Sequence, residues 1–270
     1  INGTRDAVYF YEDEKIKGSY ELKELIDFAL SDDPSTKLTV QSGKQLDYLP
    51  TRKFKLTIDK NAVLSTGTVS KEFADSIVNV IEWEMKGMGI QKNNLALLDM
   101  LAHNNWKRPI YFSITTGNDA YIGLEDYFQL EGLAYRLVPI KSKNKDGQLG
   151  NVASNEMYDH LMNKFKWGNM NDSTIYLDET NLRMTMNFRN NFARLATQLV
   201  NEGKKDAAIK VLDKCMEVMP ESSVPYNYFI LPVAESYYRA GDTIKAGKIA
   251  KRLNILYEQH LRYYFAFTGN

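Results

Sequence analysis

Short runs of alternating apolar and polar residues are interleaved with helical patterns through the first two thirds of the chain. Residues 7–11 and residues 54–58 have the composition and alternation of strands, the second with one solvated face. Between them, apolar residues recur at helical spacing from about Ser19, a candidate N-cap, to Leu30. These patterns predict a mixture of helices and strands in this part of the chain.

The same reading continues to about residue 180. Ser70 is a candidate cap for a helix that extends to Trp83, and residues 94–103 form a second apolar helix. Residues 108–115 and 134–140 are strand candidates, separated by a helix or turn. We therefore expect an α+β or α/β body with a mixed sheet over residues 1–180.

Two segments with the same internal spacing fill residues 187–264. The first has packing residues, a turn glycine and a closing proline at the spacings of a tetratricopeptide unit, namely Leu195, Ala196, Leu199, Gly203, Ala208, Leu212, Cys215 and Pro220. The second repeats this pattern 38 residues later, as Val233, Ala234, Tyr237, Gly241, Ala246, Ala250 and Leu253. The sequence predicts an all-α extension of two tetratricopeptide-like hairpins over residues 181–270. Because a stable array needs about three units, we expect the pair to pack on the body.

Composition excludes several classes of function. The 270 residues are 44% hydrophobic and 25% charged, as in a soluble globular protein, and the 34 basic residues balance the 34 acidic ones. No basic surface for nucleic acid is indicated, and no apolar run approaches the roughly 20 residues that span a bilayer. The first residue is Ile1 and a strand follows almost at once, so we expect a soluble fragment of a longer protein.

Catalytic and metal-binding motifs are missing from the sequence. No phosphate loop, nucleophile elbow or zinc-binding helix is present, and the three histidines, His103, His160 and His260, are widely separated. The single cysteine, Cys215, lies in an apolar helical stripe and is interpreted as core packing. We expect no catalytic residue, no metal and no cofactor.

Aromatic, basic and amide or carboxylate side chains crowd into residues 106–136. Such mixtures bind sugars, because flat rings cover a pyranose while planar polar groups bind its hydroxyls. The candidate binding residues are Trp106, Arg108, Tyr111, Tyr121, Glu125, Tyr127, Gln129, Glu131 and Arg136. Two alternatives remain: the aromatics pack strands while the charges are solvated, or Glu125, Asp126 and Glu131 supply the acid and base of an independent hydrolase or transferase.

Three segments carry a family resemblance: residues 104–112, residues 121–139 and the motif from Phe165 to Gly168. They resemble the C-terminal region of large Bacteroidetes membrane proteins of unknown function, which are similar to protein O-mannosyltransferases. The resemblance implies a parent with a multi-spanning transferase module that uses lipid-phosphate sugars, and a soluble part at the periplasmic face of the inner membrane. The catalytic acid of that family has no counterpart in this chain.

Repeats and resemblance together indicate a non-catalytic accessory domain of a membrane-embedded glycosyltransferase-like protein. Its expected partner is an acceptor protein or peptide, or the membrane module of the parent. The alternatives are a carbohydrate-binding module centred on residues 106–136, whose partner is a glycan, and the independent enzyme. Nucleic acid is not expected as a partner.

Overall fold

A computed structural model describes residues 7–13, 15–142 and 147–267, and the chain divides into two compact units. The α/β unit comprises Ile1–Gln129 and Ala134–Asn151, and the helical unit comprises Leu130–Leu133 and Val152–Asn270. The strands are β1 (Ala7–Phe10), β2 (Tyr20–Glu21), β3 (Lys37–Thr39), β4 (Gln45–Leu49), β5 (Lys53–Thr57), β6 (Val80–Glu84), β7 (Gly89–Gln91), β8 (Tyr111–Ser113), β9 (Phe128–Leu130), β10 (Ala134–Leu137) and β11 (Asn151–Val152). The α-helices are α1 (Leu22–Leu30), α2 (Lys60–Ser65), α3 (Lys92–Asn104), α4 (Ser154–Asp159), α5 (Glu179–Asn201), α6 (Lys205–Val218), α7 (Leu231–Ala240) and α8 (Thr243–Phe267).

Among the described residues, the strands form three sheets, with orders β3-β4-β1-β7, β2-β5-β6 and β11-β9-β10-β8. The first two are mixed: β1 pairs parallel with β4 but antiparallel with β7, and β5 pairs parallel with β2 but antiparallel with β6. Helices α1 and α3 pack on each other, and both contact strands of the α/β unit. The predicted mixed-sheet body and all-helical extension are confirmed.

The core of the α/β unit follows from strand alternation. Strand β5 pairs with β6 so that Phe54 lies opposite Trp83, and the two rings stack at a centroid distance of 5.5 Å. Phe54 is completely buried, as are Leu22 and Ile26 on one face of α1. Burying a side chain of this size stabilises the fold by about 2 kcal/mol, so this layer is a large part of what holds the unit together.

The helix expected from Ser70 to Trp83 is wrong. A 3-10 turn, Lys71–Ser76, precedes the strand β6, in which Ile81 and Trp83 are buried while their neighbours are exposed. This alternation has the period of two that is typical of a strand. Hydrogen-bonded pairing with β5 establishes that these residues form a strand and not a helix. Ser19 is likewise not the N-cap of α1, because Glu21 holds that position after the short strand β2.

Helices α5 and α6, and helices α7 and α8, form the two hairpins of the helical unit. Gly203 and Gly241 provide the turns, with φ angles of 78° and 104° that favour glycine. Ala208 and Ala246 are buried, as the close approach of paired helices requires. Ala250 is exposed and Ile249 is buried instead, so the second unit departs from the expected spacing by one position. None of the described helices has the length and apolar character of a membrane span.

A buried arginine fixes the long connection between the hairpins. Arg189 on α5 is fully buried, and its guanidinium donates hydrogen bonds to the carbonyl oxygens of Met219 at 2.9 Å, Val224 at 2.5 Å and Pro225 at 3.1 Å. Its guanidinium carbon also lies 5.3 Å from the ring centroid of Tyr226. One side chain thus provides hydrogen bonds to three backbone carbonyl oxygens of the connection that lengthens the repeat to 38 residues.

Candidate functional site

The structure buries several of the aromatic residues expected to bind sugar. Tyr121 and Tyr127 are 3% and 6% exposed, and this burial raises the pKa of both phenols. Tyr121 donates its hydroxyl to the carbonyl of Thr116 at 2.8 Å and contacts Phe128 edge to face at 5.2 Å. The faces of these rings are occupied by protein and are closed to a pyranose.

Trp106 lies in a tight loop after α3. Asn105 and Trp106 have φ angles of 40° and 60°, and the side chain of Asn104 closes the loop by bonding the amide and carbonyl of Arg108 at 3.0 Å and 2.6 Å. Trp106 is 8% exposed and lines a pocket of about 210 Å³, whereas Arg108 is exposed. The loop therefore turns the indole inward and leaves the guanidinium outside.

Tyr111 and Arg136 are brought together. They are register partners in the β8–β10 ladder, and the guanidinium carbon of Arg136 lies 6.0 Å from the ring centroid of Tyr111. Tyr111 is 46% exposed. Its ring and the nearby guanidinium therefore form a small surface with an apolar part and a charged part. The glycan site stays a prediction. Within it, Tyr111 and Arg136 are two candidate residues that contact each other and are accessible to solvent.

The polar and charged candidates differ in their exposure to solvent. Glu125 and Gln129 are half-buried in the α/β unit, Glu125 in a 3-10 turn and Gln129 on β9. Glu131 is buried and belongs to the helical unit. Asp126 is exposed, and its carboxylate lies 3.6 Å from the Lys141 amine. Solvent therefore reaches these four side chains to very different degrees.

A groove of about 660 Å³ lies in the helical unit, between the segment before α5 and the first turns of that helix. We call it the aromatic groove. Its apolar walls are Leu133, Phe165, Trp167, Met170, Ile175, Leu177, Met184 and Phe188, and the other lining residues are Lys166, Gly168, Tyr176, Asn181 and Thr185. This volume lies within the range of about 300–1,000 Å³ for pockets that bind small ligands or side chains.

Local turns shape the aromatic groove. Gly168 and Asn169 adopt φ angles of 59° and 57°, which reverse the chain after Trp167. Asp172 then accepts hydrogen bonds from the amide and hydroxyl of Thr174 at 2.9 Å and 2.7 Å, and these bonds lower the pKa of its carboxyl group. Asp178 caps α5 by accepting from the amide of Asn181 at 2.8 Å. Asp172 and Asp178 thus accept hydrogen bonds from residues two or three positions later in the chain, and these local bonds fix the segment that forms one wall of the aromatic groove.

Trp167 anchors the base of the aromatic groove. The centroid of its ring lies 5.1 Å from the ring centroid of Phe192, 6.1 Å from that of Phe165 and 6.2 Å from that of Phe188. Phe165 in turn stacks on His160 at 5.6 Å. Phe192 is completely buried, whereas Trp167 is only half-buried. The indole therefore joins the core to the surface of the groove.

Polar contacts within the same unit hold this aromatic base. His160 Nδ1 donates to the carbonyl of Glu131 at 2.7 Å, and Asn191 donates its amide to the carbonyl of Gly132 at 2.8 Å. Gly132 has a φ of 113°, and a Cβ there would lie 2.9 Å from the Phe165 ring. The glycine is required both for its conformation and for the approach of the ring.

The chemistry of the aromatic groove is that of a binding surface. Methionines and aromatic rings adapt to different apolar side chains, while Lys166 and Asn181 offer donors at polar positions. In the part of the chain that the structure describes, no three His, Cys, Asp or Glu side chains converge as metal ligands would. The groove can hold apolar side chains of a partner and bond to the backbone that carries them.

Sequence reasoning missed this groove, although it singled out Phe165, Trp167 and Gly168 as a motif. The available signal was a tryptophan followed by glycine and asparagine, a turn pattern directly after two aromatic positions. What could not be read was the pairing of that turn with Met184 and Phe188, which come from the next helix.

Comparison with protein families gives a match that covers the α/β unit and the start of the helical unit. The family model described as TMEM260-associated domain 2 matches residues 1–156, more than half of the 270 residues. The match includes two of the segments that carry the resemblance, residues 104–112 and 121–139, and it ends before the motif from Phe165 to Gly168. No curated protein and no solved structure matches the chain significantly.

Proposed function

Because the chain belongs to the TMEM260-associated domain 2 family, a family named for a membrane protein, we propose that it is a non-catalytic recognition domain that works beside a membrane-embedded glycosyltransferase-like module. Its task is to hold a segment of the acceptor protein while the membrane module transfers the sugar. The helical unit performs the recognition, and the bound segment lies in the aromatic groove.

The aromatic groove is the observation that carries this proposal. An acceptor segment that is not yet folded exposes apolar side chains, and a groove lined by Trp167, Phe188, Met170 and Met184 gains free energy by covering them. Burying two or three such side chains contributes about 25 cal/mol for each Å² of apolar surface. Weak, sequence-tolerant binding is what a domain serving many acceptors needs.

The resemblance to proteins similar to protein O-mannosyltransferases supports the nature of the parent. In this proposal the parent uses a lipid-phosphate sugar, and the recognition domain lies at the periplasmic face of the inner membrane. The catalytic acid then comes from the membrane module, in agreement with the absence of catalytic motifs from this sequence.

A charge placed in the aromatic groove tests the proposal. Met184→Arg introduces a guanidinium into the apolar wall, whereas Asn187→Arg adds the same charge at an exposed position of the same helix. Both variants are made in the full-length membrane protein, and the glycan occupancy of cellular acceptor proteins is measured by mass spectrometry. We expect occupancy to fall for Met184→Arg and to stay at the wild-type level for Asn187→Arg.

Normal occupancy with Met184→Arg, in a protein present at wild-type abundance, would contradict the proposal. Equal losses for both variants would assign the effect to added charge rather than to the aromatic groove. Deleting residues 1–270 while keeping the membrane module gives the upper limit of the effect, and full activity of that deletion would also refute the proposed role.

A second candidate function, carbohydrate binding, is favoured by one observation. Tyr111 is an exposed ring beside the Arg136 guanidinium, the combination that binds a pyranose through its apolar face and its hydroxyls. The surface is small and lies in the α/β unit, so it would supplement rather than replace recognition by the aromatic groove.

A further inference from the structure

The last turns of α8 are unusually apolar for a helix that is exposed. Helix α8 has 25 residues and α7 has 10, which correspond to lengths of roughly 37 Å and 15 Å. Ala246, Ile249 and Leu253 in the first half of α8 are buried. The second half therefore extends well beyond the helix with which the first half packs.

The exposed part changes in character along the helix axis. Arg262 is the last charged residue, and Tyr263 and Tyr264 follow it. Phe265 and Phe267 complete the turn, and these four aromatic side chains are 61–70% exposed. The order is a cation, then rings with a polar tip, then purely apolar rings. It matches the passage from lipid headgroups into the hydrocarbon of a bilayer.

The apolar surface surrounds the helix. Five successive residues exceed one turn of 3.6 residues, and Tyr263–Phe267 contains no charged side chain. A helix that docks on a second protein shows one apolar stripe, whereas a helix end that enters lipid is apolar on every side. This distribution favours a lipid environment over a partner helix or a second copy of the chain.

The charged residues of α8 are unevenly distributed along the helix. The helix carries five Lys and Arg residues and one Glu, in a chain whose basic and acidic residues are equal in number. Lys245 and Arg252 pair with Asp213 and Glu221, and Arg262 pairs with Glu258 at 2.7 Å through exposed side chains, a contact worth little in water. Four of the five basic residues lie between Lys245 and Arg252, so Glu258 and Arg262 are the charged residues nearest the aromatic end, and Arg262 is the cation that can reach a lipid phosphate there.

We propose that the aromatic end of α8 inserts into the interfacial region of a membrane, with Tyr263 and Tyr264 at headgroup depth and Phe265 and Phe267 in the acyl boundary. Arg262 lies at the lipid phosphates. This contact is separate from the aromatic groove, and it gives the helical unit a second attachment to the bilayer beside any covalent link to a membrane module.

Vesicle co-sedimentation of the 270-residue chain tests the proposal. The probe is a vesicle of phosphatidylcholine mixed with phosphatidylglycerol, compared with phosphatidylcholine alone. The double variant Phe265→Ser with Phe267→Ser loses two inserted rings, so its partition coefficient falls by about a hundredfold. The matched control Tyr238→Ser with Ile244→Ser removes two equally exposed apolar side chains from the same unit and leaves sedimentation unchanged. Arg262→Glu weakens binding to the anionic vesicles more than to the neutral ones.

Three results would overturn the proposal. The first is no sedimentation of the wild-type chain with either vesicle, and the second is equal sedimentation of the double variant and its control. The third is a dimer in sedimentation equilibrium that the double variant abolishes, without vesicle binding, which assigns the surface to a second copy. All substituted side chains are exposed, so every variant should keep its helices. Circular dichroism of each variant checks this.

Discussion

Replacing Arg189 with methionine should destabilise the helical unit more than any surface change in the same helix. Methionine keeps an unbranched apolar stem at this position but lacks the guanidinium that donates to the carbonyl oxygens of Met219, Val224 and Pro225. Among the residues described, no carboxylate forms an ion pair with Arg189, so its charge is compensated by carbonyl dipoles and by the ring of Tyr226. Burial lowers the pKa of the guanidinium, in keeping with this desolvation.

The magnitude follows from the bonds that are lost. A hydrogen bond to a charged group contributes about 1.5–3 kcal/mol, and three carbonyl oxygens in the connection between α6 and α7 lose their partner. Removing the charge also removes its desolvation cost, which returns part of that loss. The expected net loss in the free energy of unfolding is about 4 kcal/mol.

Urea unfolding followed by far-ultraviolet circular dichroism measures this loss. Arg183→Met is the matched control, because Arg183 lies on the same helix in an exposed ion pair with Glu179 and should cost about 0.3 kcal/mol. Arg189→Lys should recover a minor part of the stability, since one amine cannot reproduce the planar set of donors. If Arg189→Met costs under about 1 kcal/mol, the hydrogen bonds to the connection do not stabilise the unit as reasoned.

Three further predictions concern single positions. Gly132→Ala should lower the free energy of unfolding by about 3 kcal/mol, because Gly132 has a φ of 113° and the new Cβ would meet the Phe165 ring. Gly247→Ala, at an open helical position, should instead raise it by about 0.8 kcal/mol. Equal shifts of the two urea midpoints would refute the packing argument. Burial raises the pKa of the Cys215 thiol to about 12, so at pH 8 a disulfide reagent should label it only after unfolding, and labelling of the native chain at the rate of free cysteine would contradict its burial. If the α/β unit binds sugar, Tyr111→Ala should abolish signal on a glycan array while Tyr9→Ala, another exposed tyrosine of the unit, retains it.

The elements with strong periodicity were predictable from sequence. The helices of the two hairpins follow from spacing that recurs after 38 residues, and Gly203 and Gly241 occupy the expected turns. Strand β6 was not recognised because Phe73, Ile77 and Ile81 also fit a helical stripe. Pairing with β5 distinguishes the two readings, and a single sequence does not contain that information.

The candidate site shows the same limit more sharply. Aromatic composition drew attention to residues 106–136, where Tyr121 and Tyr127 are core residues. The aromatic groove depends on the meeting of Trp167 with Phe188 and Met184 across a turn, and no periodic pattern links those positions. Arg189 was equally hidden, because a charged side chain in a helix is usually solvated and only the fold shows that three carbonyls surround it.

Recognition of apolar segments by the aromatic groove can be measured directly through tryptophan fluorescence. Trp83 and Trp106 are both 8% exposed, so Trp167 is the indole positioned to report on binding. The probes are unstructured peptides that carry tyrosine and leucine, and the same peptides with those residues replaced by serine. We expect the apolar peptides alone to change the fluorescence saturably, and Met184→Arg but not Asn187→Arg to remove the change. Absence of any saturable change, or a change that persists in Met184→Arg, would contradict the recognition function proposed for this domain.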